Sequence, residues 1–342
     1  MKDIRAVVGV DIAKHVFQLH EVSKEKGEIT NVQLKRKKFL AHFSNRSACL
    51  IGMEACGGAQ HWARKLVALG HDVRLLPALQ VKAFVCGNKN DMADARAIWM
   101  AVQQPGVRTA AIKTEAQQAV LAMHRIRQQL IKFRTAQINA LRGLLTEYGE
   151  GMPLGRSGIA RRLPGIFANL ADRLPAVLVD TLREQFARIG RLDEEVVEIE
   201  RRLRDWYRQD DACRRLAEVP GVGLLTATAV VAAVGDAKTF RSGREFAAWL
   251  GLVPRQTGTD GRVKLLGISK RGDTYYLRTL LIHGARSVLT HSKSPSEWIV
   301  KLVKRRPINV AIVAMANKTA RTLWALLAHG QLYQREHNSS PA

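Results

Sequence analysis

The chain has 342 residues, 46% of them hydrophobic, which excludes a wholly disordered protein and leaves room for roughly two or three folded units. Its 54 Lys and Arg against 30 Asp and Glu give a net charge of +24, so the partner to look for is a polyanion. The longest clean apolar run, Leu224 to Val234, is interrupted by Thr226 and Thr228 and is too short to span a bilayer.

The N-terminus moves from two charges into a strand-like run with no cleavage pattern, so no export signal is read there. Cys49, Cys56, Cys86 and Cys213 show neither a Cys-x-x-Cys pair nor a His spacing suited to zinc, which predicts reduced thiols in a cytoplasmic protein. Arg5 to Val10 reads as a strand ending at Asp11, and Val16 to Val22 and Ile29 to Leu34 follow as partners across the charged turn Ser23 to Gly27. The basic stretch Lys35 to Lys38 opens a short helix through Phe43. Cys49 to Met53 is a buried strand ending at Glu54, Ala59 to Leu69 an amphipathic helix stopped by Gly70, and Val73 to Leu76 a fifth strand closed by Pro77. Three strands, a helix, a strand, a helix and a strand is the order of the ribonuclease H type of α/β fold.

A helix starts at Asp91 and runs past Trp99. From Lys113 to Arg162 a helical arm carries nine Lys or Arg against three acids, a candidate polyanion contact. Ile189, Leu192, Val196, Ile199, Leu203 and Trp206 are spaced alternately three and four apart, a coiled-coil seam or an ordinary amphipathic face, packing within the chain or between subunits. Leu216 to Val219, the turn Pro220-Gly221-Val222-Gly223 and Leu224 to Val234 have the layout of a helix-hairpin-helix, whose turn amides at Gly221 and Gly223 can grip a phosphate. A helix at Gly243 to Leu250, a basic Gly/Thr-rich loop from Pro254 to Gly272, and helices at Tyr275 to Leu289 and Asn309 to Ala328 complete the chain. The expected division is 1–110 as an α/β catalytic domain, 111–212 as a helical linker, 213–335 as a mostly helical domain, and 336–342 as a disordered tail.

Four acids stand out. Asp11 and Glu54 end strands one and four, which are neighbours in this order, and Asp91 and Asp94 share a helix face by their three-residue spacing. Converging carboxylates repel unless cations fill the space between them, and hard oxygen ligands suit Mg²⁺ or Mn²⁺. Two such ions stabilise the entering and leaving oxygens of a phosphodiester exchange. Each acid alone also has a structural reading: Asp91 beside Asn90 suits a helix cap, and Asp94 suits the helix dipole.

The segments Val8-Gly9-Val10-Asp11-Ile12-Ala13-Lys14, Met53-Glu54-Ala55-Cys56-Gly57 and Lys89-Asn90-Asp91-Met92-Ala93-Asp94-Ala95 resemble the DEDD signature of the Piv-type insertion-sequence transposases. Val219 to Gly223, Phe246 to Pro254 and Gly267 to Asp273 resemble the C-terminal domain of the same family, so the resemblance runs in order over nearly the whole chain. It implies a RuvC-like nuclease domain with a DEDD metal site, a coiled-coil linker, and a transposase domain with a nucleophilic Ser. Implied partners are the DNA of element ends and target, an element-encoded bridge RNA, and further copies in a dimer or tetramer within the bacterial nucleoid, with no membrane.

The loop that should carry the Ser reads Arg255-Gln256-Thr257-Gly258-Thr259-Asp260-Gly261 and holds none. By register from Pro254 the nearest hydroxyl is Thr259, with Thr257 the runner-up and Ser269 in a different motif. Arg255, Arg262, Lys264, Lys270 and Arg271 are candidate phosphate contacts, joined by Lys301, Lys304, Arg305 and Arg306. Two other functions fit the composition: a Holliday-junction-type nuclease in which water attacks, and a non-catalytic architectural protein.

Overall fold

The structure, a computed structural model, describes residues 4–87, 90–153, 155–259, 262–269 and 274–334, without the side chains of residues 156, 157 and 259. The expected tail at 336–342 lies outside the described residues. The chain divides into two units, Met1–Ala116 with Val234–Arg241, and Gln117–Ala233 with Ser242–Ala342.

The first unit is α/β. Its strands are β1 (Ala6–Ile12), β2 (Val16–Ser23), β3 (Ile29–Lys35), β4 (Cys49–Glu54) and β5 (Asp72–Leu76), in the sheet order β3-β2-β1-β4-β5. The first three pair antiparallel, and β1–β4 and β4–β5 pair parallel. Helix α1 (Phe39–Ser44) follows a 3₁₀ turn at Arg36–Lys38, and α2 (Ala59–Ala68), the short α3 (Ala78–Val81) and α4 (Asp91–Val102) lie between and after the parallel strands.

Period-two alternation along the strands sorts the core into two layers. Ala6, Val8 and Val10 of β1 and Cys49, Ile51 and Met53 of β4 pack with Phe39, Phe43, Trp62 and Leu66 from α1 and α2. Val7 and Leu50 face the other way, onto Ala97, Ile98, Ala101 and Val102 of α4.

The second unit is mostly helical. It comprises α5 (Glu115–Glu147, whose first residues belong to the other unit), α6 (Arg156–Ala171), α7 (Ala176–Gln209), α8 (Asp211–Ala217), α9 (Leu224–Val234), α10 (Gly243–Trp249), α11 (Tyr275–His291), α12 (Glu297–Arg305) and α13 (Ile308–His329). Part of the α7 seam is buried inside the chain, Ile189 with Leu141 and Leu145 of α5 and Ile199 and Leu203 with Val120, whereas Leu192 and Trp206 are half-buried.

Two expectations change. The segment from Pro254 to Gly272 is not simply a loop, because Arg255–Thr259 (β6) and Arg262–Leu266 (β7) pair as an antiparallel ribbon. Thr257, Thr259 and Val263 are β-branched, and an Asp-Gly pair links the strands, a combination that favours a hairpin despite the polar composition. Between Pro295 and Pro307 the chain forms α12, a nine-residue helix with no buried residue, although Trp298, Ile299, Leu302 and Val303 recur at helical spacing.

Candidate active site

The same alternation that builds the core fixes where the acids point. Val7, Gly9 and Asp11 lie on one face of β1, and Leu50, Gly52 and Glu54 on the matching face of β4, the face that α4 covers. Gly9 and Gly52 are register partners. Each makes room for the helix: a Cβ on Gly9 would stand 2.5 Å from the Trp99 backbone nitrogen, and one on Gly52 would stand 2.8 Å from Val102 Cβ. With no side chain at either position, α4 settles directly onto the strands and brings its first turn toward their carboxyl ends.

That first turn carries Asp91 and Asp94. Its cap is Asn90 rather than Asp91: Asn90 Oδ1 accepts from the Ala93 backbone N–H at 2.8 Å. The capping task that could have explained Asp91 is therefore met by its neighbour.

Electrostatics ties the four acids together. The Asp11 carboxyl is pushed up to about 6, first by burial and then by the charges of Asp94, Asp91 and Glu54. The Cys56 thiol is pushed up as well, by burial and then by the Glu54 and Asp11 charges, which keeps this soft ligand protonated beside hard ones.

The donor set fits a hard divalent cation, since all four groups are carboxylates and each of the other three raises the cost of ionising Asp11. Among the described residues no three His, Cys, Asp or Glu side chains are gathered closely enough to hold an ion as they stand. The two observations differ in range, because carboxylates repel over several ångströms whereas Mg²⁺ coordinates at about 2.0–2.1 Å. The acids share a field without closing a coordination shell.

The β6–β7 register places positions 255, 257 and 259 on one face with 262, 264 and 266. Arg255, Thr257, Arg262 and Lys264 thus share a cationic, hydroxyl-bearing face, while Val263 and Leu265 lie on the other, both well exposed. Thr259 is the last residue of β6, and its side chain lies outside the described residues, as do Lys270 and Arg271. Ser269 sits near Gly251, where a Cβ would be 3.6 Å from the serine Cβ. Lys301, Lys304, Arg305 and Arg306 are exposed on and after α12.

A family model described as "Transposase" matches residues 8–150, which hold all four acids. A second, described as "Transposase IS116/IS110/IS902 family", matches residues 213–298. The chain is 45% identical over 332 residues to the "Probable family 20 transposase" of Pseudomonas aeruginosa, covering 96% of this chain and 98% of that protein. It is 41% identical over 338 residues to the "Transposase for insertion sequence element IS1111A" of Coxiella burnetii, covering 98% and 92%. The "Transposase for insertion sequence element IS1328" of Yersinia enterocolitica is 35% identical over 335 residues, covering 96% and 98%. The chain belongs to the IS116/IS110/IS902 transposase family.

The second region matched by this transposase family begins at α8 and includes the turn between α8 and α9. Gly221 there has φ 84°, and its backbone lies against α11, where a Cβ on Gly284 would stand within 1.9 Å of the Gly221 carbonyl oxygen. The glycine requirement at 221 thus has an internal cause, and Gly223, around which a Cβ would meet nothing, is the open position of the turn. Sequence reasoning missed Gly9 and Gly52 as site residues, although each lies two positions before an acid.

Proposed function

We propose that the chain cleaves DNA at the ends of an insertion sequence and rejoins it elsewhere, with Asp11, Glu54, Asp91 and Asp94 holding Mg²⁺ or Mn²⁺ and Thr259 supplying the nucleophilic hydroxyl. The observation that supports this most is the convergence of four acids from three chain segments, felt at Asp11 as a carboxyl pushed up to about 6. Bound there, a divalent ion supplies neutralisation of the charge on phosphodiester oxygens. Apart from the Thr259 hydroxyl, the chain's own part is positional. Gly9 and Gly52 seat α4, α4 presents Asp91 and Asp94 beside the strand acids, and the cationic face of the β6–β7 ribbon orients phosphates around the hydroxyl.

In the proposed step the Thr259 oxygen forms a bond to phosphorus as the bond to a sugar oxygen breaks. The hydroxyl proton leaves to a base or solvent and the departing sugar oxygen takes one up. A covalent link conserves bond energy for rejoining. A bridge RNA directs the choice of ends and target, and the chain works as a homo-oligomer on the nucleoid.

Trapping covalent protein–DNA products on element-end DNA tests the nucleophile: adducts are expected with the wild type and lost in Thr259→Ala. Adducts that persist would move the role to Thr257 or Ser269, and free ends without any adduct would favour water as the attacking group. Calorimetry with Mg²⁺ tests the acids, since equal binding by wild type and Glu54→Ala would count against a shared site. Sequencing the nucleic acid that co-purifies tests the guide, which predicts one discrete RNA species.

A further inference from the structure

Lys14, Lys35, Arg36, Lys37 and Lys38 form an exposed cationic rim at the end of the sheet where Asp11 sits. The strand register builds it. Strand β1 runs past Asp11 to Ile12, opposite Phe17, and β2 begins at Val16, opposite Lys35. Lys35 is therefore level with the β1–β2 hairpin tip that carries Lys14, and two strands away from β1, roughly 10 Å at about 4.8 Å per strand.

Arg36 joins the two pieces. Its backbone N–H donates to the His15 carbonyl at 3.0 Å, its Nη1 donates to the Lys14 carbonyl at 3.4 Å, and its guanidinium lies 5.1 Å from the Trp62 ring centroid. Stacking on a buried indole holds this cation in place.

The segment that carries four of the five cations holds no acid of its own, since residues 29–47 contain no Asp or Glu. Among the described residues none of the five rim cations has an ion-pair partner. The opposite end of the same sheet is different, because the β2–β3 turn mixes Lys24 and Lys26 with Glu25 and Glu28. Crowded like charges cost folding free energy. A surface charge run is ordinarily just solvated, but this one makes no ion pair among the described residues, is held by Arg36, and borders the acids on the side away from β4.

We infer that this rim grips the phosphodiester backbone of the nucleic-acid strand that reaches the acid cluster, guiding it over the β1–β2 hairpin tip. The inference rests on the DNA-cleaving reading for the identity of that strand, whereas phosphate binding at the rim does not require it.

The test is affinity of the full chain for fluorescent duplex DNA and for RNA of equal length, measured across salt concentrations in EDTA. Lys37→Gln with Lys38→Gln is expected to make the slope of log affinity against log salt shallower by up to about 1.8 on duplex DNA, at about 0.9 for each phosphate that is no longer neutralised. Lys24→Gln with Lys26→Gln removes the same charge from the opposite end of the sheet and is expected to leave the slope in place. Whichever polymer shows the difference between the two pairs supplies the phosphates. Equal slopes for both pairs, unchanged or equally shallow, would overturn the inference, because bulk charge alone would then account for binding. Without divalent ions, a failure of the acids to bind metal cannot enter this readout, so the two readings fail separately.

Discussion

A Cβ placed on Gly9 would stand 2.2 Å from the carbonyl oxygen of Ala95, an atom of the α4 backbone. No side-chain rotation relieves such a clash, so any residue larger than glycine must lift the helix that carries Asp91 and Asp94. Gly9→Ala is expected to cost about 1–3 kcal/mol of stability, as overpacked cores do, and to abolish the rise in melting temperature that Mg²⁺ gives the wild type. Gly52→Ala meets Val102 at the far end of α4, so it should lose stability but keep more of the Mg²⁺ response. Thermal unfolding with and without Mg²⁺ checks both, and a Gly9→Ala protein with the full Mg²⁺ shift would sink the seating argument.

Asp11 gives the site a pH signature. Its folded carboxyl sits at about 6 against an ordinary 3.8, so the folded state holds its proton more tightly than the unfolded state. Without divalent ions this contribution stabilises the fold below about pH 4 and is lost as pH rises through 6. Asp11→Asn removes one of the repelling charges. Urea midpoints in EDTA should therefore be higher for Asp11→Asn than for wild type at pH 8, with the gap closing at about pH 4, and Mg²⁺ should raise the wild type at pH 8 far more than the variant.

How much of this was legible in the sequence differs between the two halves. The adjacency of β1 and β4 follows from strand order, and the shared face of Asp11 and Glu54 follows from the two-residue period once both strand ends are placed. Gly9 and Gly52 were visible as letters but not as packing positions, because only the seated helix shows which glycines have something above them. The β6–β7 ribbon carried its Asp-Gly link in plain view, yet its strands bury almost nothing, so hydrophobic alternation could not announce them. Helix α12 was legible, since Trp298, Ile299, Leu302 and Val303 recur at helical spacing between two prolines, although the face they form buries no residue.

His124 is a buried contributor of the opposite sign, in the helical unit. Thr228 donates its hydroxyl proton to the Leu224 carbonyl and so accepts from His124 Nε2–H at 3.0 Å, which leaves His124 Nδ1 to accept from the Tyr276 hydroxyl at 2.9 Å. This neutral tautomer is held by burial and by the Arg127 charge, which push the imidazole down to about 4. A histidine with a lowered folded pKa supports the fold above its unfolded value of about 6.5 and loses that support as pH falls through 4. Wild type should lose up to about 3 kcal/mol from this group between those limits. His124→Gln, weaker at about pH 7, should lack the slope. Denaturant titrations at several pH values separate it from Asp11, whose slope runs the other way and is absent in Asp11→Asn.

The close approach of Gly221 and Gly284 decides what the turn before α9 is for. A Cβ on Gly284 would lie 1.9 Å from the Gly221 carbonyl oxygen, closer than any packed pair of atoms, and α11 or the turn would have to move. Gly284→Ala is expected to destabilise the chain by about 3 kcal/mol, the upper end of what overpacking costs, and to do so equally with and without DNA. Gly223→Ala meets open space and should leave stability nearly unchanged. If the exposed end of this turn also grips a phosphate through its backbone amides, Gly223→Pro, which deletes one of those N–H donors, should weaken duplex DNA binding more than Gly223→Ala does. Equal binding by the two Gly223 variants would leave the turn with a packing role alone.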